Sequence, residues 1–146
     1  MVARRLSTIG YEGKTLDEFL DALAEAGVER VIDVRAVAAS RRPGFSKTAL
    51  AGALAEREIG YLQLRALGTP KAGRDAARSG RTSVMRQIYA EHLETPEAEL
   101  ALEQANAAAM ERHSALLCYE REAGCCHRAM VAERLAQRSE FSVIDL

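Results

Sequence analysis

All three cysteines of the 146-residue chain fall in one short stretch, CYEREAGCCHR at 118–128, with one of its three histidines. Thiols, an imidazole, carboxylates and guanidinium groups so close together suit four kinds of role. The first is an anion-binding or catalytic crevice. There Glu120, or Asp33 from an earlier strand, would act as acid or base, and Arg35, Arg41, Arg42 and Arg128 would clamp an anion. His127 would shuttle protons or, alternatively, cap or pack beneath the loop. The second is thiol chemistry, with Cys126 attacking and Cys118 resolving. A cysteine at a helix start beside an arginine is expected to gain thiolate character. The third is a metal site from Cys118, Cys125, Cys126 and His127. Adjacent cysteines ligate one zinc poorly and no second CxxC knuckle exists, so no metal is assigned. The fourth is structural. Cys118 would be a small buried hydrophobe, Asp33 and Arg35 would pair with each other or with Arg128, and Glu120 would pair with Arg128. A phosphatase-type cradle needs a cysteine, five residues and then arginine, and no cysteine here has that spacing.

These residues need elements to position them. RLSTIG (5–10) reads as a strand that ends at Gly10, with Tyr11 next as a candidate ligand-binding or core-edge aromatic. Thr15 and Glu18 form a capping box for a helix whose Leu16, Phe19, Leu20 and Leu23 share a face, and Gly27 closes it. VERVIDVR (28–35) has the β-branched run of a strand covered on both faces. Ser46 is placed to cap a helix from about Lys47 to Glu58, and YLQLR (61–65) alternates as a short strand. Residues 66–81 read as a long polar loop, and loops of that length are often functional. Helices follow from about Thr82 to Glu94 and from Pro96, capped by Thr95, to about Arg112. His92 and His113 are expected as packing or surface residues. ALLCYE (115–120) is a strand, AMVAERLAQR the core of the last helix and FSVIDL the last strand.

Strands alternating with helices predict a single α/β domain with an open, mostly parallel five-stranded sheet and helices on both faces. Ligands of such sheets bind beyond the carboxyl ends of the strands. Gly10 and Tyr11, Asp33 and Arg35, and Cys118 and Glu120 all lie at those ends, and the loops at 36–46 and 66–81 leave from the same edge. From Arg35 to Arg81 ten basic residues face three acids, a local charge of +7, while the remainder carries −8. That asymmetry predicts a positive lip that attracts an anion.

Composition narrows the class further. Hydrophobic residues make up 48% of the chain, enough for a packed core rather than disorder. No apolar run approaches the roughly 20 residues that span a bilayer, and the N-terminal MVARRLSTIGYEG lacks the apolar segment of a secretory signal. An odd number of cysteines fits a reducing compartment. The protein is therefore expected to be cytoplasmic, with no membrane partner.

The segments TIGYEGKTLDEFLDALAEAGVERVIDVRAVAASRRPGFSKTAL, YLQLRALG and LLCYEREAGCCHRAMVAERL resemble the domain-of-unknown-function 488 family, from Thr8 to about Leu135. The resemblance rests on the Thr-Ile-Gly opening, Asp-Val-Arg, the Ser-Arg-Arg-Pro-like loop, Leu-Gly, Cys-x-Glu and Cys-His-Arg. It implies an α/β fold. It marks Gly10, Asp33, Arg35, Arg41, Leu67, Gly68, Cys118, Glu120, Cys126, His127 and Arg128 as motif positions. Tyr11 stands where that family commonly has His. The resemblance implies no reaction, cofactor or oligomeric state.

The leading expectation is an enzyme acting on an anionic substrate, a nucleotide or a nucleic-acid end, in the strand-end crevice. One alternative is a non-catalytic module that binds nucleic acid through residues 35–81. Another is a thiol-redox protein using Cys118 and Cys126.

Overall fold

The computed structural model describes residues 4–119 and 127–146. The elements follow in the order β1 (Arg4–Gly10), α1 (Leu16–Glu25), β2 (Arg30–Asp33), α2 (Lys47–Glu56), β3 (Gly60–Gln63), a 3-10 turn (Arg65–Leu67), α3 (Lys71–Arg78), α4 (Thr82–Leu93), α5 (Pro96–Glu111), β4 (Ser114–Cys118), α6 (His127–Arg138) and β5 (Phe141–Asp145). The five strands form one sheet in the order β3-β2-β4-β1-β5, and every pairing is parallel. The expected α/β class is therefore observed, as an all-parallel sheet.

Strand order and crossover handedness together dictate where the helices lie. The chain steps from β1 to β2 to β3 in one direction across the sheet, then reverses through β4 to β5. Right-handed crossovers put the connections of the two directions on opposite faces. The two hydrophobic cores follow this division. Phe19, Leu20 and Leu23 of α1 and Leu50 and Leu54 of α2 pack with Ile9, Val31, Ala115 and Leu117. Residues from α4, α5 and α6 pack with Leu6, Ile32 and Leu116 on the other face. Neighbouring positions of each strand thus serve alternate faces, as the pleat requires.

The local signals behave as their chemistry predicts, with two differences. Thr15 and Glu18 close the capping box of α1, Thr95 accepts from Ala98 N at the start of α5, and Gly27 has a φ of 73° past the end of α1. Ser46 precedes α2, but its hydroxyl serves Ser40 instead of the helix amides. The segment 66–81, expected as a loop, instead forms most of a 3-10 turn and the eight-residue α3. Only Gly73 and Ala76 of α3 are buried. A helix that buries so little leaves no large apolar residue at helical spacing to reveal it.

Candidate functional site

At the carboxyl edge of the sheet the predicted residues sort onto two faces. Asp33 is in register with Leu117, so both belong to the α1–α2 face. Cys118 follows Leu117 and falls on the opposite side.

On the first face, Asp33 is 0% and Arg35 5% exposed. The carboxylate of Asp33 accepts from Arg35 backbone N at 3.0 Å, Arg35 Nε at 2.9 Å, Arg35 Nη2 at 2.7 Å and the Tyr61 hydroxyl at 2.6 Å. Arg35 Nη1 donates to Phe45 O at 2.7 Å and to the Tyr11 hydroxyl at 3.4 Å. Tyr11 stacks on Phe45, with ring centroids 4.4 Å apart. Burial opposes the charge of Arg35, but hydrogen bonds and Coulombic attraction from Asp33 outweigh it and raise the pKa. Burial, reinforced by the bond to Asp33, holds the Tyr61 phenol well above its ordinary value, so it stays a donor. This is a satisfied internal network. It ties the end of β2 to the basic loop through Phe45, and the carboxylate has four donors already.

On the second face, Arg128 is 0% exposed and its Nη1 lies 2.8 Å from Cys118 Sγ. Cys118 is buried and disulfide-bonded. His127 Nε2 lies 2.8 Å from Val34 O. A carbonyl can only accept, so Nε2 carries the hydrogen. Burial lowers the His127 pKa; the Val34 bond opposes this and the Arg128 charge adds to it, leaving a value of about 4. At neutral pH the ring is uncharged, with its lone pair on Nδ1.

A crevice of about 400 Å³ opens beside this second face, lined by Thr69, Arg74, Arg78, Tyr119 and His127 over a floor that includes Met85. Its position depends on Gly68. A Cβ there would lie 2.3 Å from Ala36 Cα and N. Only glycine lets the segment after the 3-10 turn close onto the end of β2. That contact sets Thr69 and α3 next to the strand ends. Tyr89 donates to Leu67 O and His92 contacts Ala66 O, so α4 holds the same turn from behind. Arg74 Nη1 donates to Thr69 O at 2.8 Å, while Arg78 Nη2 lies 3.8 Å from Asp75. Tyr119 is 46% exposed and meets Tyr11 edge-on at 5.3 Å, which steadies the ring.

The crevice therefore recruits His127 from the predicted residues and adds others. Asp33, Arg35 and Tyr11 lie sealed beneath the edge, and Gly10 pairs with Cys118 in the sheet. Arg41 is exposed on the basic loop. Arg42 donates to Lys14 O and covers the Phe45 ring at 5.8 Å, bordering a separate groove with Thr15 and Asp17. Glu120, Cys125 and Cys126 lie outside the described residues. Sequence reasoning missed Arg74, Arg78 and Tyr119. Arg74 and Arg78 stand four apart in KAGRDAAR, a spacing that shares one helical face once the segment is helical. Among the described residues no three His, Cys, Asp or Glu side chains group to hold a metal ion. No helix among them is long and apolar enough to cross a membrane.

An all-parallel α/β domain with a cationic crevice at its carboxyl edge defines the class of protein. The model of the family described as "Domain of unknown function DUF488" matches residues 15–135, and the chain belongs to that family. Neither the curated proteins nor the solved structures contain a match to it.

Proposed function

We propose that the protein binds a nucleotide in the crevice between α3 and the start of α6. The observation that carries this reading is the meeting, in one crevice, of two guanidinium groups, an exposed aromatic ring and a neutral imidazole. Arg74 and Arg78 suit a phosphate, because a planar fork of donors matches its oxygens. Tyr119 offers a π-face for a base. His127, uncharged at neutral pH, adds a polar wall to the crevice. A volume of about 400 Å³ lies within the range of small-molecule sites. Asp33 and Arg35 then act as positioning residues for the edge. Glu120, from the sequence, is the candidate acid or base if the bound nucleotide is turned over, and Cys126 a candidate donor or nucleophile.

Thermal-shift titration with a nucleoside monophosphate, the nucleoside and inorganic phosphate tests this. A ligand of the native state raises the melting temperature. The monophosphate is expected to raise it most. Arg74→Ala/Arg78→Ala should remove that shift while keeping the ligand-free melting temperature near wild type. Absence of any shift across nucleoside mono-, di- and triphosphates would overturn the proposal.

One observation favours thiol chemistry as a second reading: the disulfide at Cys118, with a guanidinium against its sulfur. Peptide mapping without reductant is expected to recover Cys118 in oxidised form. Recovery only as a free thiol after mild oxidation would remove this reading.

A further inference from the structure

We infer that the ligand is single-stranded nucleic acid of at least two nucleotides, with one nucleotide in the crevice and its neighbour in an adjoining depression at Arg65. The inference rests on the nucleotide reading and extends it.

A second depression of about 190 Å³ is bounded by Ala36, Val37, Ala38, Gln63 and Arg65. It shares Ala36 with the main crevice. Ala36 therefore borders both, at the place where Gly68 closes onto it. A free mononucleotide would occupy only one of the two depressions.

The second depression, like the first, sets a guanidinium group beside apolar surface. Arg65 is exposed and, among the described residues, pairs with no carboxylate. Gln63 supplies an amide that both donates and accepts. Val37 is 54% exposed, an apolar surface where solvent would otherwise be met. Among the described residues no acidic side chain lines either depression. Arg74 and Arg78 on one side and Arg65 on the other thus present cations across a small apolar bridge. Successive phosphates of one strand, with bases against Tyr119 and Val37, complement that pattern. A paired base hides its faces in the stack, whereas an unpaired one can lie on an aromatic ring. The ligand is accordingly single-stranded.

Binding of a 5′-mononucleotide, the matching 5′-phosphorylated dinucleotide and a blunt duplex of the same sequence is measured by calorimetry on the full chain. The dinucleotide is expected to bind about tenfold more tightly than the mononucleotide, as one added apolar base contact and one phosphate contact allow. The logarithm of its affinity should fall more steeply with the logarithm of salt, by about 0.7 for the added phosphate. Arg65→Ala should bring the ratio of the two affinities close to one. If the mononucleotide binds and the dinucleotide binds no better, the inference falls and the nucleotide reading stands. It falls equally if Arg65→Ala keeps the ratio, or if the duplex binds as well as the single strand. If no nucleotide binds at all, the nucleotide reading itself fails.

Discussion

At the scale of the residue, Asp33 shows how chemistry-bearing groups can be structural. Its carboxylate sits opposite a buried guanidinium and accepts four hydrogen bonds. Removing one member of a buried pair leaves the other charged and uncompensated, at a cost of about 3–5 kcal/mol. Asp33→Asn is expected to lose about 3 kcal/mol in urea denaturation, with Arg35 still charged. Tyr61→Phe removes one donor of the four, on a half-buried ring, and should cost about 1–2 kcal/mol. A stable Asp33→Asn protein that had lost ligand binding would move Asp33 from positioning into the binding machinery. Sequence spacing put Asp33 and Arg35 on one face correctly. Their mutual pairing stood there as one of two readings, and spacing could not choose between them, because pairing two residues apart looks the same as shared exposure to a ligand.

At the scale of the element, legibility followed apolar surface. β1, β2, β4 and α1 were readable because their buried residues are mostly apolar and periodic, and Thr15 and Thr95 announce helix starts through their own side chains. α3 was hidden because it buries only a glycine and an alanine, so its place is set by contacts outside itself. The crevice inherits that blindness: Arg74 and Arg78 face it only as parts of a helix that the pattern does not display. Tyr119 was equally silent: the sequence put it inside a strand over 115–120, whereas β4 ends at Cys118 and the ring stands edge-on to Tyr11. Gly68 was visible as part of a Leu-Gly motif, and the structure supplies the reason in the approach of Ala36. That yields a prediction. Gly68→Ala must displace backbone, not a flexible side chain, and should cost about 3 kcal/mol or more, as overpacking does. The 3-10 turn and α3 should come away from the β2 end, so ligand binding should weaken further than stability alone explains. Wild-type melting and wild-type nucleotide affinity together in that variant would show that the turn does not set the crevice.

At the scale of the whole molecule, the sheet is held at both edges by neutral imidazoles. At the amino edge, His113 Nδ1 donates to Gly27 O at 3.1 Å and Nε2 accepts from the Ser7 hydroxyl at 2.8 Å. Burial lowers its pKa, opposed by the Gly27 bond, with Arg5 lowering it and Glu29 raising it. At the carboxyl edge, His127 is lowered to about 4. Both groups prefer the uncharged form in the fold, whereas the unfolded chain protonates them near 6.5. Between those values the unfolded state binds more protons, so stability is intact above pH 6.5 and declines as pH falls toward the folded pKa. For His127 alone the loss should reach about 2 kcal/mol by pH 5 and about 3 kcal/mol near pH 4. Urea midpoints measured from pH 7.5 to 4.5 should therefore fall before most carboxylates titrate. His127→Gln retains a donor for Val34 O without a titrating ring, and should flatten that decline to the part due to His113. An equally steep decline in the variant would place the acid sensitivity elsewhere. Ligand affinity adds an independent check on the same group: protonating His127 adds a cation to the crevice wall. A nucleotide held by its phosphate beside that ring should bind better as pH falls toward the folded pKa, once unfolding is corrected for, and unchanged or weaker binding would remove His127 from the anion contacts.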